Sequence, residues 1–133
     1  MSKDLIIIRG VPGSGKSTVA EIMKGNSGII CTTDDFYMVN GEYKFDPTKI
    51  AENHQKNWEL ADNSMKIGIS PVIIANTNTT PKEWKKYEES AKKYGYRVHH
   101  IIVENRHGGK NEHGVPEPAI KSMRNKLKNN IQL

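Results

Sequence analysis

The run Gly10-Val11-Pro12-Gly13-Ser14-Gly15-Lys16-Ser17 has the spacing GxxxxGK followed by a hydroxyl residue. Glycines at that spacing let successive backbone N–H groups turn inward around an anion, and a helix opening behind them adds the positive end of its dipole. Lys16 is then placed to reach the β- and γ-phosphates of a nucleotide, and the Ser17 hydroxyl to ligate Mg²⁺. These eight residues and Thr18 are the expected site for a nucleoside triphosphate, ATP with Mg²⁺. The alternative, a glycine-rich turn with a chance lysine, leaves unexplained the apolar run before it and the helical pattern after it.

Phosphoryl transfer also asks for a base beside the acceptor hydroxyl and for cations over the moving group. Thr32-Thr33-Asp34-Asp35 places two carboxylates just past the apolar run Gly28-Ile29-Ile30-Cys31. We expect Asp34 to take the proton of the acceptor hydroxyl. Asp35 is expected to assist Mg²⁺ through water or to cap the loop. The alternative is that both only cap a short helical turn, as Asp often does after a strand. In residues 104–114, Arg106 and Lys110 flank Gly108-Gly109. Such a segment is either a cationic lid closing over the phosphates or an ordinary exposed connection. A second metal-binding Asp after an apolar strand is missing, because that strand ends in Ala75-Asn76. His99 and His100 are neighbours in a strand and face opposite ways. His107 and His113 lack the ligand company of a zinc site, so histidine is not expected to bind metal.

These residues need elements to hold them. Leu5-Ile6-Ile7-Ile8 reads as a buried strand feeding the glycine loop, and residues 17–23 as the helix after it. Residues 28–31 read as a second strand, and Asn40-Gly41 as a hairpin turn. A long helix is expected over residues 47–67, its buried stripe formed by Ile50, His54, Trp58, Ala61 and Met65. Residues 71–75 form the third strand. Thr80-Pro81-Lys82-Glu83 then gives an N-cap, a first-turn proline and a capping-box Glu for a helix that packs Trp84, Tyr87, Ala91 and Tyr94 and stops at Gly95. Residues 96–103 are the fourth strand, and residues 116–130 a last helix with Ile120, Met123, Leu127 and Ile131 on one face. Short apolar strands alternating with helices predict one three-layer α/β domain over residues 1–133. Its sheet of about four mostly parallel strands has helices on both faces, the P-loop NTPase arrangement. Ligands sit at the carboxyl ends of such strands, so residues 10–17, Asp34-Asp35, residues 76–78 and the loop after Val103 are expected on one rim.

Of the 133 residues, 26% are charged and 35% hydrophobic, the balance of a soluble globular chain rather than a disordered one. No apolar run approaches the ~20 residues of a membrane span. The start Met-Ser-Lys-Asp leads almost directly into the first strand, and Cys31 is the lone cysteine. Both suit an unprocessed protein of a reducing cytoplasm, bacterial or phage-infected. The net charge of +5 fits either a polyanionic partner such as nucleic acid or a solvated lysine-rich surface.

Four blocks recur in a familiar order: residues 9–17, then Thr33-Asp34-Asp35-Phe36, then Asn76-Thr77-Asn78, then His113-Gly114-Val115-Pro116 with Ile120 and Met123 following. Over about residues 4–128 the chain resembles the polynucleotide-kinase-like P-loop kinases, an AAA-type group that includes the phage enzyme and animal relatives. The resemblance implies transfer of the ATP γ-phosphate to a 5′-hydroxyl of DNA or RNA. It places the catalytic aspartate at Asp34, the loop lysine and serine at Lys16 and Ser17, and the border of the substrate pocket at Thr77-Asn78. Phe36-Tyr37 stands where the phage enzyme has an arginine, and the acid found in or beside the Asn-Thr-Asn block of relatives is lacking. The aromatics Phe36, Tyr37, Tyr43 and Phe45 either stack on a base of a flexible strand end or build a local cluster under the hairpin. A hydroxymethylated base in DNA, a nucleoside or another small molecule are alternative acceptors. A non-catalytic ATP-binding regulatory module is the alternative of another kind.

Overall fold

The computed structural model describes residues 2–104 and 114–130. Strand β1 (Asp4–Arg9) runs through the phosphate loop into helix α1 (Lys16–Lys24), followed by β2 (Ile29–Cys31) and a 3-10 turn, Thr33–Tyr37. The hairpin β3 (Met38–Val39) and β4 (Glu42–Tyr43) precedes α2 (Ile50–Lys66), β5 (Val72–Ala75), α3 (Pro81–Tyr94), β6 (Arg97–Ile102) and α4 (Glu117–Asn129). The hairpin turns at Asn40-Gly41, as that pair predicts.

The main sheet has the order β2-β5-β1-β6 with every pairing parallel. β1 is central: Leu5 pairs with Val72 on one side and Val98 on the other. Side chains of a strand alternate between faces, and β1 uses both. Leu5 and Ile7 pack with Ala61 and Met65 of α2 and Trp84, Tyr87 and Ala91 of α3. Ile6 and Ile8 pack with Ala20 of α1, Ile73 and Ala75. That is the expected three-layer arrangement. Each fully buried aliphatic of β1 contributes about 1.5–3 kcal/mol. A third cluster, Val11 with Ile120 and Leu127, seats α4 against the phosphate loop.

Two expectations are corrected. Along α2, Asn53 and Asn57 are buried with Ala61, Ser64 and Met65, whereas His54 is exposed, Ile50 largely so and Trp58 only half-buried. The helix is turned by about one residue, because its asparagines find partners inside. The Asn57 side-chain amide donates to the Tyr87 hydroxyl (2.9 Å) and the Cys31 carbonyl (3.4 Å), and that of Asn53 to the Phe36 carbonyl (3.4 Å). Residues 47–49 form a 3-10 turn ahead of the helix proper, capped by Asp46. The second correction concerns β6, whose first four residues are exposed and mostly polar rather than apolar, although helices lie on both faces of the sheet. Polar pairs occupy that stretch: Arg97 and His99 meet Asp4, each at 2.9 Å, and His100 meets Glu88 at 3.0 Å.

Candidate active site

The phosphate loop closes tightly. A side chain on Gly10 would put its Cβ 2.5 Å from Ser14 Oγ and 2.9 Å from the Val103 carbonyl oxygen, so only glycine fits. Gly15, with φ 101°, caps α1 in a left-handed conformation that other residues rarely adopt. Its backbone carbonyl accepts from the N–H of Val19. Lys16 Nζ donates to the Val11 carbonyl at 3.1 Å. Burial pulls its ammonium down to about 8, and attraction from Asp34 opposes that shift.

A cavity of about 450 Å³ opens above the loop. Pro12, Gly13, Gly15, Lys16, Ser17 and Thr18 line it from one side, and Thr33, Asp34 and Tyr37 from the turn after β2. Ala75, Asn76 and Thr77 line it from the end of β5, Val115 and Met123 from the α4 side. The strand ends thus converge on one rim, as the parallel order predicts.

The turn that carries Asp34 is fixed from several directions. Asn76 Oδ1 accepts from the Thr33 N–H (2.9 Å) and the Thr33 hydroxyl (3.2 Å). Thr32 caps the turn, its hydroxyl accepting from the Asp34 N–H (3.4 Å). Capping therefore falls to Thr32 rather than to Asp34 and Asp35. From the far end, the Lys44 N–H donates to the Tyr37 carbonyl (2.9 Å).

The adjacent acids part company here. Asp34 lines the cavity beside Lys16, whereas the Asp35 side chain is exposed and does not line it. Consecutive residues of a 3-10 turn point about a third of a revolution apart, so one carboxylate faces the loop and its neighbour cannot. Partial desolvation and then the Asp34 charge hold Asp35 above the usual carboxylate value. The roles expected of Asp35 therefore rest on no direct contact with this cavity. Phe36 is half-buried outside the cavity lining, while Tyr37 is buried and part of it. Thr77 also lines the cavity. Asn78 does not: its buried side-chain amide donates to the Ile8 carbonyl (2.9 Å), and its own carbonyl accepts from Arg9 Nε (2.9 Å). Asn78 fastens the residues after β5 to β1. Arg106, Lys110, His107, His113 and Ile131 lie outside the described residues.

Arg9 is buried, with its guanidinium 4.0 Å from the centroid of the Trp84 ring and Nη2 donating to the Asn130 carbonyl at 3.0 Å. It clasps β1, the residues after β5, α3 and α4 together beneath the phosphate loop. Glu83 secures the residues after β5, its carboxylate accepting from the N–H groups of Thr79 (2.8 Å) and Thr80 (2.9 Å). The expected capping box is present. Among the described residues, no group of three or more His, Cys, Asp or Glu could hold a metal by itself. A Mg²⁺ brought with nucleotide phosphates needs less, because phosphate oxygens and water fill most of its shell. Ser17, a hydroxyl residue that lines the cavity, fits that role. Nothing in the spacing of Ile50 and His54 marks them as cavity residues, whereas Asn76 belongs to the segment 76–78 expected on the rim.

A model of the AAA-domain family matches residues 5–128. The chain belongs to that family. Human NEDD4-binding protein 2 is 41% identical to this kinase-like domain over 96 residues, a match that takes in 71% of the chain and 5% of that protein. The chain therefore spans a small part of that relative's length. A chain of the Pnkp1/Rnl/Hen1 RNA repair complex superposes with a TM-score of 0.72 at 22% identity, over 96% of this chain and 44% of that one. The Mycobacterium tuberculosis APS kinase CysC, solved with AMPPNP and APS, gives 0.53 at 17% identity over 77% and 63%. At these identities the two structures show the P-loop kinase fold. No helix among the described residues is long and apolar enough to cross a membrane.

Proposed function

We propose that this domain is an ATP-dependent kinase that transfers the γ-phosphate to a 5′-hydroxyl of a polynucleotide, DNA or RNA. The observation that carries the reading is the shared opening of the phosphate loop and Asp34. The acceptor hydroxyl gives its proton to the Asp34 carboxylate as its oxygen bonds to the γ-phosphorus. The bond from that phosphorus to the β–γ bridging oxygen breaks, and ADP leaves. Lys16 and the loop N–H groups hold the phosphates and offset the charge that spreads over their oxygens. Mg²⁺, held by Ser17 and the phosphates, supplies further positive charge when bound. The net charge of +5 supports a polyanionic acceptor, as does the similarity to a chain of an RNA repair complex.

Labelled ATP offered with 5′-hydroxyl oligonucleotides of DNA and RNA, their 5′-phosphorylated counterparts, hydroxymethylated-base DNA and nucleosides tests this directly. Label is expected on the 5′-hydroxyl strands and not on strands already phosphorylated. Label confined to modified bases or nucleosides, or to nothing, overturns the proposal.

A further inference from the structure

One side of the cavity is aromatic and takes no part in the transfer chemistry. Tyr43, Phe45, Ile50 and His54 form it. Buried Tyr37 lies behind the rings, its centroid 6.0 Å from that of Tyr43 and 5.2 Å from that of Phe45. Phe45 thus rests on a fixed ring, yet it is 56% exposed, and Ile50 is 41% exposed. Ile50 and His54 are four residues apart on α2 and share a face. Large apolar side chains left open at the mouth of a charged cavity form a binding surface.

Their place in the chain tells which reactant they meet. The hairpin continues directly from the turn that bears Asp34 and is tied back to it by the Lys44–Tyr37 hydrogen bond. The wall therefore belongs to the acceptor side. The apolar residues on the other side, Val115 and Met123, pack with Val11 of the phosphate loop, beside the donor.

We propose that Phe45, supported by Tyr37 and flanked by Ile50 and His54, is a stacking subsite for the terminal nucleobase of the acceptor strand. The inference rests on the polynucleotide reading above. A base stacked on an aromatic ring is held by about 1–3 kcal/mol whatever its identity, since every base has a π-face. The subsite thus positions the 5′-hydroxyl near Asp34 without reading sequence.

The test compares 5′-hydroxyl oligonucleotides that differ only in a normal or an abasic terminal nucleotide, with wild type, Phe45→Ala and Phe45→Trp. Phe45→Ala is expected to raise KM for the normal strand roughly 5- to 100-fold, and Phe45→Trp to stay near wild type. The abasic strand is expected to bind wild type weakly, with Phe45→Ala adding less than about twofold, while KM for ATP stays unchanged. Equal losses on normal and abasic strands overturn the subsite. A raised KM for ATP with an unaltered strand KM overturns it too, and hands the wall to the donor adenine. Strands labelled normally by Phe45→Ala remove the subsite alone. Failure of wild type to label any strand removes the polynucleotide reading and the subsite with it.

Discussion

Lys16 carries a conflict that pH exposes. Burial depresses its ammonium to about 8 from an ordinary 10.5, so at pH 9 the free site holds roughly nine-tenths neutral lysine. A bound polyphosphate favours the charged form, and binding must then take up a proton between pH 8 and the ordinary lysine range. Affinity for ATP is therefore expected to fall as pH rises through that window and to be nearly flat at pH 7. Calorimetry in buffers of different ionisation heat reads the proton directly. Uptake approaching one proton at pH 9 and close to none at pH 7 is the expected result; no uptake at pH 9 would mean that the ammonium is not the phosphate contact. The residue scale is also where sequence proximity misleads most. Asp34 and Asp35 are neighbours in the chain, as are Thr77 and Asn78, and one of each pair meets the cavity. Which one does is decided by turn geometry and by partners such as the Ile8 carbonyl, which no spacing records.

Among the elements, the Thr33–Tyr37 turn is the one that the chemistry depends on and that the chain pattern hides. Its first residue hangs from Asn76 by two hydrogen bonds. Asn76→Ala removes both and frees the turn at the end nearest Asp34. Stability is expected to drop by about 1–3 kcal/mol, and kcat by about 10²-fold, because a misplacement on the order of 1 Å is enough. KM for ATP should change little, since the Thr33 bonds of Asn76 do not touch the phosphate loop. Steady-state kinetics with both substrates checks this, and a rise confined to the KM of ATP would show that Asn76 serves the donor instead. The strands, α1, α3 and its capping box were legible in the sequence because apolar periodicity, glycine spacing and capping are local signals. The rotation of α2 was not. It turns on Asn53 and Asn57 finding the Phe36 and Cys31 carbonyls and the Tyr87 hydroxyl, groups supplied by other elements. β6 reads as one of the short apolar strands, but its first half is exposed at the sheet edge and paired to Asp4 and Glu88.

For the whole molecule, the parallel order β2-β5-β1-β6 brings three strand ends to one rim. It thereby joins a phosphate loop, a carboxylate and an aromatic wall that come from separate segments of the sequence. That convergence was predictable from alternating strands and helices alone. The acceptor was not, because composition allows either a nucleic-acid partner or a lysine-rich surface. Salt separates them. Strand affinity is expected to decline linearly on a log–log plot against salt, with a slope of about −0.7 per phosphate neutralised on a single strand. A flat response in a fluorescence-anisotropy titration would point to a small neutral acceptor. The central claim is that Asp34 faces the phosphates as the base, and it is tested most directly by single-turnover transfer from ATP with Asp34→Asn, alongside a measured ATP affinity. The transfer rate is expected to fall about 10²- to 10⁴-fold with ATP bound at least as tightly as in wild type. An undiminished rate would contradict it and leave a nucleotide-binding domain whose base is another group.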